Sequence, residues 1–242
     1  MNDKKVALIV GAGDAIGSAI AKEFAEKGFT VCMARRSAEP VESYAKELRS
    51  EGYEAFGFGM DARKEDEVEA LFSRIESDIG AIDVVVFNVG ANVPMSILDT
   101  TSKKFYKIWE MACFAGFLVG REAAQRMAPR KRGTILFTGA TASIRGGAIF
   151  GAFASAKHGL RALAQSMARE LGPKNIHVAH VIIDGAVDTQ WIRANHPDYD
   201  KLVENDGVVK PQDLAKNYVM LHEQARNAWT FELDVRPWVE KW

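Results

Sequence analysis

Three glycines near the start of the chain, Gly11, Gly13 and Gly17, have the types and spacing of a phosphate-binding turn. They lie between an apolar run, VALIV, and a segment of helical period, IGSAIAKEF. At such a turn, backbone N–H groups and the positive end of a helix dipole contact a dinucleotide pyrophosphate, and a Cβ would hold the phosphate away. The spacing is that of a G-x-x-x-G-x-G turn with Ala15 replacing the middle glycine. We therefore expect Ala15 and Ile16 to line a dinucleotide site with the three glycines.

Two arginines, Arg35 and Arg36, follow the second predicted strand. A fold that selects NAD usually places an acidic residue here to bind the ribose hydroxyls, but this chain has Ala34. Guanidinium groups suit the additional 2′-phosphate of NADP. The sequence therefore predicts NADP in preference to NAD, with two solvated arginines at a strand end as the alternative.

The elements that position these residues are short β-branched runs that alternate with longer segments of helical period. The predicted strands are KVALIV, FTVCMA, AFGFGM, DVVVFN, GTILFTG, HVAHVII and TFELDV. One long helix is predicted from about Ser102 to Met127, and another contains AFASAKHGLRALAQSMARELG. This alternation is typical of βα units on a parallel sheet that helices cover on both faces.

Composition limits the classes of protein that the chain can belong to. Its 242 residues, 48% of them hydrophobic, suit one α/β domain over residues 1–242. The net charge of −1 is spread over mixed-sign clusters, so we expect no nucleic-acid partner. The start of the chain does not resemble a signal peptide and the apolar runs are too short to span a bilayer, which predicts a cytoplasmic protein without a membrane partner. Cys32 and Cys113 lack the spacing of a metal site, so no metal is predicted.

One long segment before the last helix, residues 188–210, carries no predicted element. Unstructured segments of this length within a compact domain are usually functional and are commonly lids. Trp191, Ile192 and Tyr199 give it apolar surface to bury. We expect a substrate lid at 188–210, with a plain surface excursion as the alternative.

Four motifs occur in one order along the chain: the glycine turn, MDAR after the third strand, NVGA after the fourth, and the lysine of FASAK after the fifth. In this combination the chain resembles the short-chain dehydrogenase/reductase family over essentially its whole length. The resemblance implies a single Rossmann-fold domain, with a seven-stranded parallel sheet and helices on both faces. It also implies bound NAD(P), a small-molecule substrate, and a homodimer or homotetramer built on the two long central helices.

The resemblance also assigns individual cofactor contacts. In chain order these are Asp61 and Ala62 beside the adenine, Asn88 and Gly90 beneath the adenosine ribose, Lys157 on the nicotinamide ribose, and Thr189 at the carboxamide or pyrophosphate. With the glycine turn and the two arginines, they form the predicted cofactor site.

The chain departs from the family at three of its four catalytic positions. Phe153 stands four residues before Lys157, where carbonyl-reducing members carry the tyrosine that donates the proton. Ala140 replaces the serine that binds the substrate oxygen, and Cys113 replaces an asparagine that completes a proton relay. A positioned general acid contributes about 10²- to 10⁴-fold in rate. Ordinary ketone reduction by the family route is therefore not expected.

Few residues are available to replace the missing groups. Ser143, in the loop after the fifth strand, could present a hydroxyl to the substrate, or could instead bond its own backbone. Asp184 follows the sixth strand, where it could either act chemically or cap the next segment. His158 is expected to point away and Cys113 to be a buried small residue. Lys157 and Ser143 remain the candidate catalytic residues.

Three functions fit these observations. The favoured one is an NADP(H)-dependent oxidoreductase that acts on a small apolar carbonyl or imine-type substrate with a non-standard proton donor. The second is a catalytically inactive cofactor-binding sensor or subunit. The third is a repurposed lyase or dehydratase. Retention of the glycine turn, Arg35, Asn88 and Lys157 favours the first two, because a lyase need not keep the whole cofactor path.

Overall fold

The computed structural model describes residues 4–241, and within them nine strands carry the architecture. Residues 1–3 and 242 of the predicted domain lie outside the described residues. The strands are β1 Val6–Val10, β2 Thr30–Arg35, β3 Ala55–Gly59, β4 Ile82–Phe87, β5 Gly133–Thr138, β6 Ile176–Ile183, β7 Ala186–Val187, β8 Val208–Val209 and β9 Glu232–Val235. Seven of them form one parallel sheet in the order β3-β2-β1-β4-β5-β6-β9.

Helices cover both faces of this sheet. They are α1 Ile16–Glu26, α2 Ala38–Ser50, α3 Glu65–Asp78, α4 Ser102–Trp109, α5 Ala115–Arg130, α6 Gly151–Leu171, α7 Gln190–Asn195, α8 Tyr199–Glu204 and α9 Pro211–Glu223. Among residues 4–241, no helix is both long and apolar enough to cross a membrane. The prediction of a single sheet of seven parallel strands between two helical layers is confirmed.

The two faces of the sheet follow from alternation along its strands. In β1, Val6, Leu8 and Val10 point to one face, while Ala7 and Ile9 point to the other, and all five are buried. The first face packs against α3, α5 and α6, and the second against α1, α2 and α9. Burial on both faces explains why the central strands read as continuous apolar runs.

The strand order changes direction between β1 and β4. The chain moves outward from β1 to β3 and then returns to place β4 beside β1. Loops at the carboxyl ends of these two strands turn to opposite sides, which opens a crevice where open α/β sheets bind their ligands. The glycine turn after β1 lies at this crevice.

Two regions differ from the sequence prediction. The helix predicted from Ser102 to Met127 is interrupted by a π-helical turn at Glu110–Phe114, which contains Cys113. The segment 188–210 is not irregular, because it contains α7 and α8 and ends at β8, which pairs with β7. Trp191, one of the apolar residues of this segment, is 61% exposed, and a lid role for the segment stays a prediction.

Candidate functional site

A cleft of about 410 Å³ opens at the carboxyl ends of β1, β2, β3 and β4. It brings together eight of the predicted cofactor residues: Gly11, Gly13, Arg35, Arg36, Asp61, Ala62, Asn88 and Gly90. These residues come from four separate loops of the chain. The strand order, rather than proximity in sequence, therefore assembles the predicted site.

The glycines of this cleft fit a bound pyrophosphate. Gly11 has φ +87°, and a Cβ there would lie 2.6 Å from the Asn88 carbonyl oxygen. A Cβ on Gly17 would lie 2.5 Å from the Ala12 Cα, so this glycine lets α1 pack closely on the turn. At Gly13 and Gly90 a Cβ would meet no protein atom within 4 Å, although both line the cleft. The space beside them is where a ligand can approach the backbone.

Asn88 connects the end of β4 to the glycine turn. Its Nδ2 donates to the Gly11 carbonyl oxygen at 3.1 Å, and its backbone N–H donates to the Val10 carbonyl oxygen at 2.8 Å. These two bonds hold the turn against β4. Asn88 thereby lines the floor of the cleft, and its contact with an adenosine ribose stays a prediction.

Arg35 and Arg36 present positive charge to the cleft. Arg36 is exposed and Arg35 is half-buried, and both line the opening. Across residues 4–241, the ion pairs of the structure involve neither of them. Two guanidinium groups beside the glycine turn are therefore available to an anionic ligand.

A third arginine, Arg63, also lines the cleft, although the sequence did not predict it there. Its Nε and Nη2 donate to the two oxygens of Asp61 at 2.9 and 2.5 Å, and its Nη1 lies 3.6 Å from Glu110 Oε2. The hydrogen bond from Arg63 lowers the pKa of Asp61. The signal was present in MDAR, where the arginine follows the aspartate by two residues. The Asp61 carboxylate is thus already engaged by a neighbour within the cleft.

Lys157 lies on α6 and bridges the ends of two strands. Its Nζ donates to the Thr138 carbonyl oxygen at 2.8 Å and to the Val89 carbonyl oxygen at 3.2 Å. Burial lowers the pKa of Lys157 to about 8. The ring of Phe153, centred 5.8 Å from Nζ, stands where the resemblance would place a tyrosine hydroxyl. Two backbone carbonyl oxygens therefore hold Lys157, and a phenyl ring without a hydroxyl lies beside it.

Cys113 has the surroundings of a buried apolar residue. Burial raises the pKa of its thiol, and the nearby charge of Lys157 only partly opposes this shift. A Cβ on Gly159 would lie 2.9 Å from Cys113 Sγ, so the glycine in α6 makes room for the sulfur. The expectation of a buried small residue at position 113 is confirmed.

Ser143 lies in a short helical turn, Thr141–Ser143, after β5, and is fully buried. Its Oγ accepts the Ala140 backbone N–H at 3.1 Å. This bond to its own loop is the alternative role expected for Ser143. Direct contact of Ser143 with a substrate stays a prediction.

Asp184 is a fully buried carboxylate with several partners. Thr141 Oγ1 donates to it at 2.6 Å, and Arg145 donates at 3.0 and 3.1 Å. Arg236 Nη2 lies 3.4 Å from Asp184 Oδ2. Asp184 therefore joins the loop after β5 to the end of β6, and its charge is balanced by arginines.

Five predicted cofactor residues do not line this cleft: Ala15, Ile16, Gly17, Lys157 and Thr189. Thr189 caps α7, its Oγ1 accepting the Ile192 N–H at 3.2 Å, and it lines a second depression together with Asp14 and Ala15. Ile16 begins α1. His158 is exposed and its Nδ1 lies 2.9 Å from the Ala154 carbonyl oxygen, so it points away as expected.

Comparison with known proteins finds a family and several relatives that this chain resembles. A family model described as short chain dehydrogenase matches residues 5–200. The chain is 30% identical, over 91% of its length and 86% of the relative's, to 2-dehydro-3-deoxy-D-gluconate 5-dehydrogenase of Formosa agariphila. The crystal structure of a short-chain dehydrogenase from Rhodopseudomonas palustris is 46% identical, with a TM-score of 0.83, and the match covers 97% of this chain and 99% of that one. A variant of actinorhodin polyketide ketoreductase, solved with NADPH, is 25% identical, with a TM-score of 0.89 and coverage of 98% and 97%.

Proposed function

The chain belongs to the short-chain dehydrogenase family, and from this premise we propose that it is an NADP(H)-dependent oxidoreductase with a non-standard proton donor. The observation that carries the proposal is the position of Arg35 and Arg36, which line the cleft beside the glycine turn and take part in no ion pair among residues 4–241. A 2′-phosphate supplies the anion that suits these two groups. The similar ketoreductase solved with NADPH supports the same choice of cofactor.

Each part of the cleft, together with Lys157 and Thr189 outside its lining, has a proposed role toward this cofactor. The N–H groups of the glycine turn bind the pyrophosphate, and the positive end of α1 favours its charge. The remaining contacts are Arg35 and Arg36 to the 2′-phosphate, Asp61 and Ala62 to the adenine, Asn88 and Gly90 to the adenosine ribose, Lys157 to the nicotinamide ribose, and Thr189 to the carboxamide or pyrophosphate. The nicotinamide, when bound, supplies the hydride acceptor or donor.

The substrate that we propose is a small apolar carbonyl or imine. Phe153 has no proton to give, so a substrate that already carries positive charge or is strongly activated suits this site better than a simple ketone. Apolar side chains surround the start of α6: Ile97 is 72% exposed, and a Cβ on Gly151 would lie 3.9 Å from its Cδ1. Ile149, two residues before α6, is 52% exposed. Ile149 is four residues from Phe153 in the chain and Ile97 lies beside Gly151, so both support apolar recognition at the start of α6.

We also propose that residues 188–210 act as the substrate lid. Asp188 organises the segment, because it accepts hydrogen bonds from Arg193 at 2.6 and 3.0 Å and from the Tyr199 hydroxyl at 2.8 Å. Trp191 projects from α7 with most of its surface exposed. The segment is held largely by contacts among its own residues. An exposed indole on such a segment suits a lid that closes on a ligand.

For assembly, we propose a homodimer or homotetramer that uses the outer face of α4 and α5. Tyr106, Trp109, Phe114 and Phe117 form a continuous series of ring contacts along this face, with centroids 6.0 to 6.3 Å apart. Tyr106 is 58% exposed and Phe117 is 37% exposed. A row of aromatic side chains open to solvent is typical of an interface.

A titration of NADPH and NADH, followed by tryptophan fluorescence, tests the choice of cofactor. We expect tighter binding of NADPH, and the Arg36→Ala variant should lose about tenfold or more in NADPH affinity while NADH affinity changes little. Arg74→Ala, at an exposed position on α3, is the matched control. Tighter binding of NADH by the unmodified protein would overturn the proposal.

A second candidate, a cofactor-binding protein without turnover, is favoured by the Phe153 ring beside Lys157. The two candidates differ when NADPH is mixed with a panel of carbonyl compounds and imines. An oxidoreductase consumes the cofactor, and the absorbance of the reduced nicotinamide falls. A sensor shows a raised melting temperature with NADPH and no consumption of NADPH across the panel.

A further inference from the structure

A pair of hydroxyl groups lies buried between β5 and α9, on the face of the sheet opposite α6. Thr138 is the last residue of β5, and its Oγ1 lies 2.7 Å from the Oη of Tyr218 on α9. Tyr218 is fully buried and Thr138 is 6% exposed. Either hydroxyl can donate to the other. The two groups therefore satisfy each other in a layer that water does not reach.

The side chains around this pair are apolar. Leu136 of β5, Val181 of β6 and Leu214 of α9 are buried with Tyr218 in one cluster. Burial raises the pKa of Tyr218, so its phenol stays protonated. Two hydroxyls in such a layer carry a desolvation cost, which phenylalanine and valine of nearly the same shape would avoid. Packing alone does not require a polar pair at this place.

Thr138 also contacts Lys157, through its backbone. The Thr138 carbonyl oxygen accepts a hydrogen bond from Lys157 Nζ at 2.8 Å, and the Val89 carbonyl oxygen accepts a second one at 3.2 Å. Lys157 is 2% exposed, so these oxygens bind its ammonium group away from water. One threonine therefore contacts Tyr218 through its side chain and Lys157 through its carbonyl oxygen.

We propose that Tyr218 is a positioning residue for Lys157 and acts through Thr138. The bond between the two hydroxyls fixes the Thr138 side chain against α9, and this directs the Thr138 carbonyl oxygen toward Nζ. The inference rests on the proposed oxidoreductase function, in which Lys157 binds the nicotinamide ribose. It adds to that site a residue from the opposite face of the sheet. Because Tyr218 is fully buried, it does not supply the missing proton.

A second polar pair joins the same two elements and offers a matched control. Thr134 Oγ1, near the start of β5, lies 2.9 Å from His222 Nδ1, near the end of α9. Thr134 and Thr138 are four residues apart on the strand, which separates the two pairs by about 13 Å along β5. The second pair therefore crosses the same interface at a distance from Lys157.

NMR titration of protein labelled with ¹³C-lysine tests the positioning role without any cofactor. The signal of Lys157, assigned with Lys157→Met, reports the pKa of its ammonium group. Tyr218→Phe and Thr138→Val should each lower this pKa by about half a pH unit or more, because a carbonyl oxygen that can turn away stabilises the ammonium less. Thr134→Val and His222→Phe should leave it unchanged within about 0.3 pH units.

Denaturant unfolding separates positioning from general stability. Tyr218→Phe and Thr138→Val each leave one buried hydroxyl without a partner, so both should lower the free energy of unfolding. Combining the two substitutions removes both hydroxyls and should recover most of this loss. The pKa of Lys157 should stay low in the double variant, since the Thr138 carbonyl oxygen is still not fixed. A merely structural role requires that the pKa recovers together with stability.

The outcomes distinguish this inference from the proposed function. An unchanged Lys157 pKa in Tyr218→Phe, an equal fall in Thr134→Val, or recovery in the double variant would overturn the positioning role. NADPH affinity should fall about three- to tenfold in Tyr218→Phe and stay within about twofold in Thr134→Val. A lowered pKa with unchanged NADPH affinity would contradict the ribose role of Lys157. If NADPH does not bind the native protein, the proposed function fails, while the Lys157 pKa still decides whether Tyr218 positions this lysine.

Discussion

At the scale of single residues, the candidate site combines a buried lysine, Lys157, with the apolar ring of Phe153. Lys157 keeps its place at the end of β5 through two backbone carbonyl oxygens, so its position does not depend on a tyrosine at position 153. Phe153 fills the space beside it with an apolar ring. The lysine can hold a ribose hydroxyl in this arrangement, but the phenyl ring cannot complete a proton transfer.

Restoring the two hydroxyls should therefore restore ketone reduction. We expect Phe153→Tyr combined with Ala140→Ser to raise the rate of NADPH oxidation with a simple ketone by about 10²-fold or more, because a positioned acid and a substrate hydrogen bond are regained. His158→Tyr, which places a tyrosine on the exposed side of α6, is the control. An unchanged rate in the double variant would show that the pocket has been rebuilt beyond these two side chains.

The buried ammonium of Lys157 should also affect stability at high pH. Its pKa falls from 10.5 to about 8 on folding, so between these values the unfolded chain binds more protons than the folded one. The free energy of unfolding therefore rises with pH in this window, and this gain is absent below it, where both states are protonated. Relative to Lys157→Met, the native protein should gain about 3 kcal/mol across the window.

Denaturant unfolding at a series of pH values measures this difference. The same substitution at Lys103, an exposed residue of α4, provides the control. Parallel pH curves for the native protein and Lys157→Met would show that the backbone carbonyl oxygens offset the effect of burial.

At the scale of elements, the loop between β5 and α6 carries backbone strain. Ile149 has φ +63°, in the left-handed region that β-branched residues rarely adopt. Its carbonyl oxygen accepts the Met95 N–H at 2.7 Å, which joins this loop to the one that follows β4. The strained residue therefore holds two loops together beside the start of α6, where the proposed substrate binds.

Relieving this strain should stabilise the fold. Ile149→Asn should raise the free energy of unfolding by about 1 kcal/mol, because asparagine tolerates the left-handed conformation and the isoleucine is half exposed. Thermal unfolding of this variant and of Val93→Asn, an exposed β-branched position without a positive φ, gives the comparison. Equal melting temperatures for Ile149→Asn and the native protein would mean that the isoleucine contacts compensate for the strain.

At the scale of the whole molecule, local patterns predicted the sheet and the glycine turn, but long-range contacts formed the rest of the site. Continuous apolar runs such as VALIV identify buried strands from the sequence alone, and Arg63 follows Asp61 by only two residues in MDAR. The contact between Thr138 and Tyr218 joins positions 80 residues apart, so no spacing rule reveals it. The π-helical turn that contains Cys113 could not be predicted from the sequence either, because one additional residue in a turn barely alters the helical periodicity.

The exposed aromatic face of α4 and α5 predicts that the whole molecule assembles with further copies of itself. Burying Tyr106 and Phe117 between two copies would remove apolar surface from water, whereas carboxylates at both positions would repel across a symmetric interface. Light scattering should therefore give a dimer or tetramer for the native protein and a smaller species for Tyr106→Glu combined with Phe117→Glu. Trp238→Glu, at an 81% exposed position near the carboxyl end, tests whether a different face forms the interface. A native monomer, or dissociation by Trp238→Glu alone, would contradict assembly through α4 and α5.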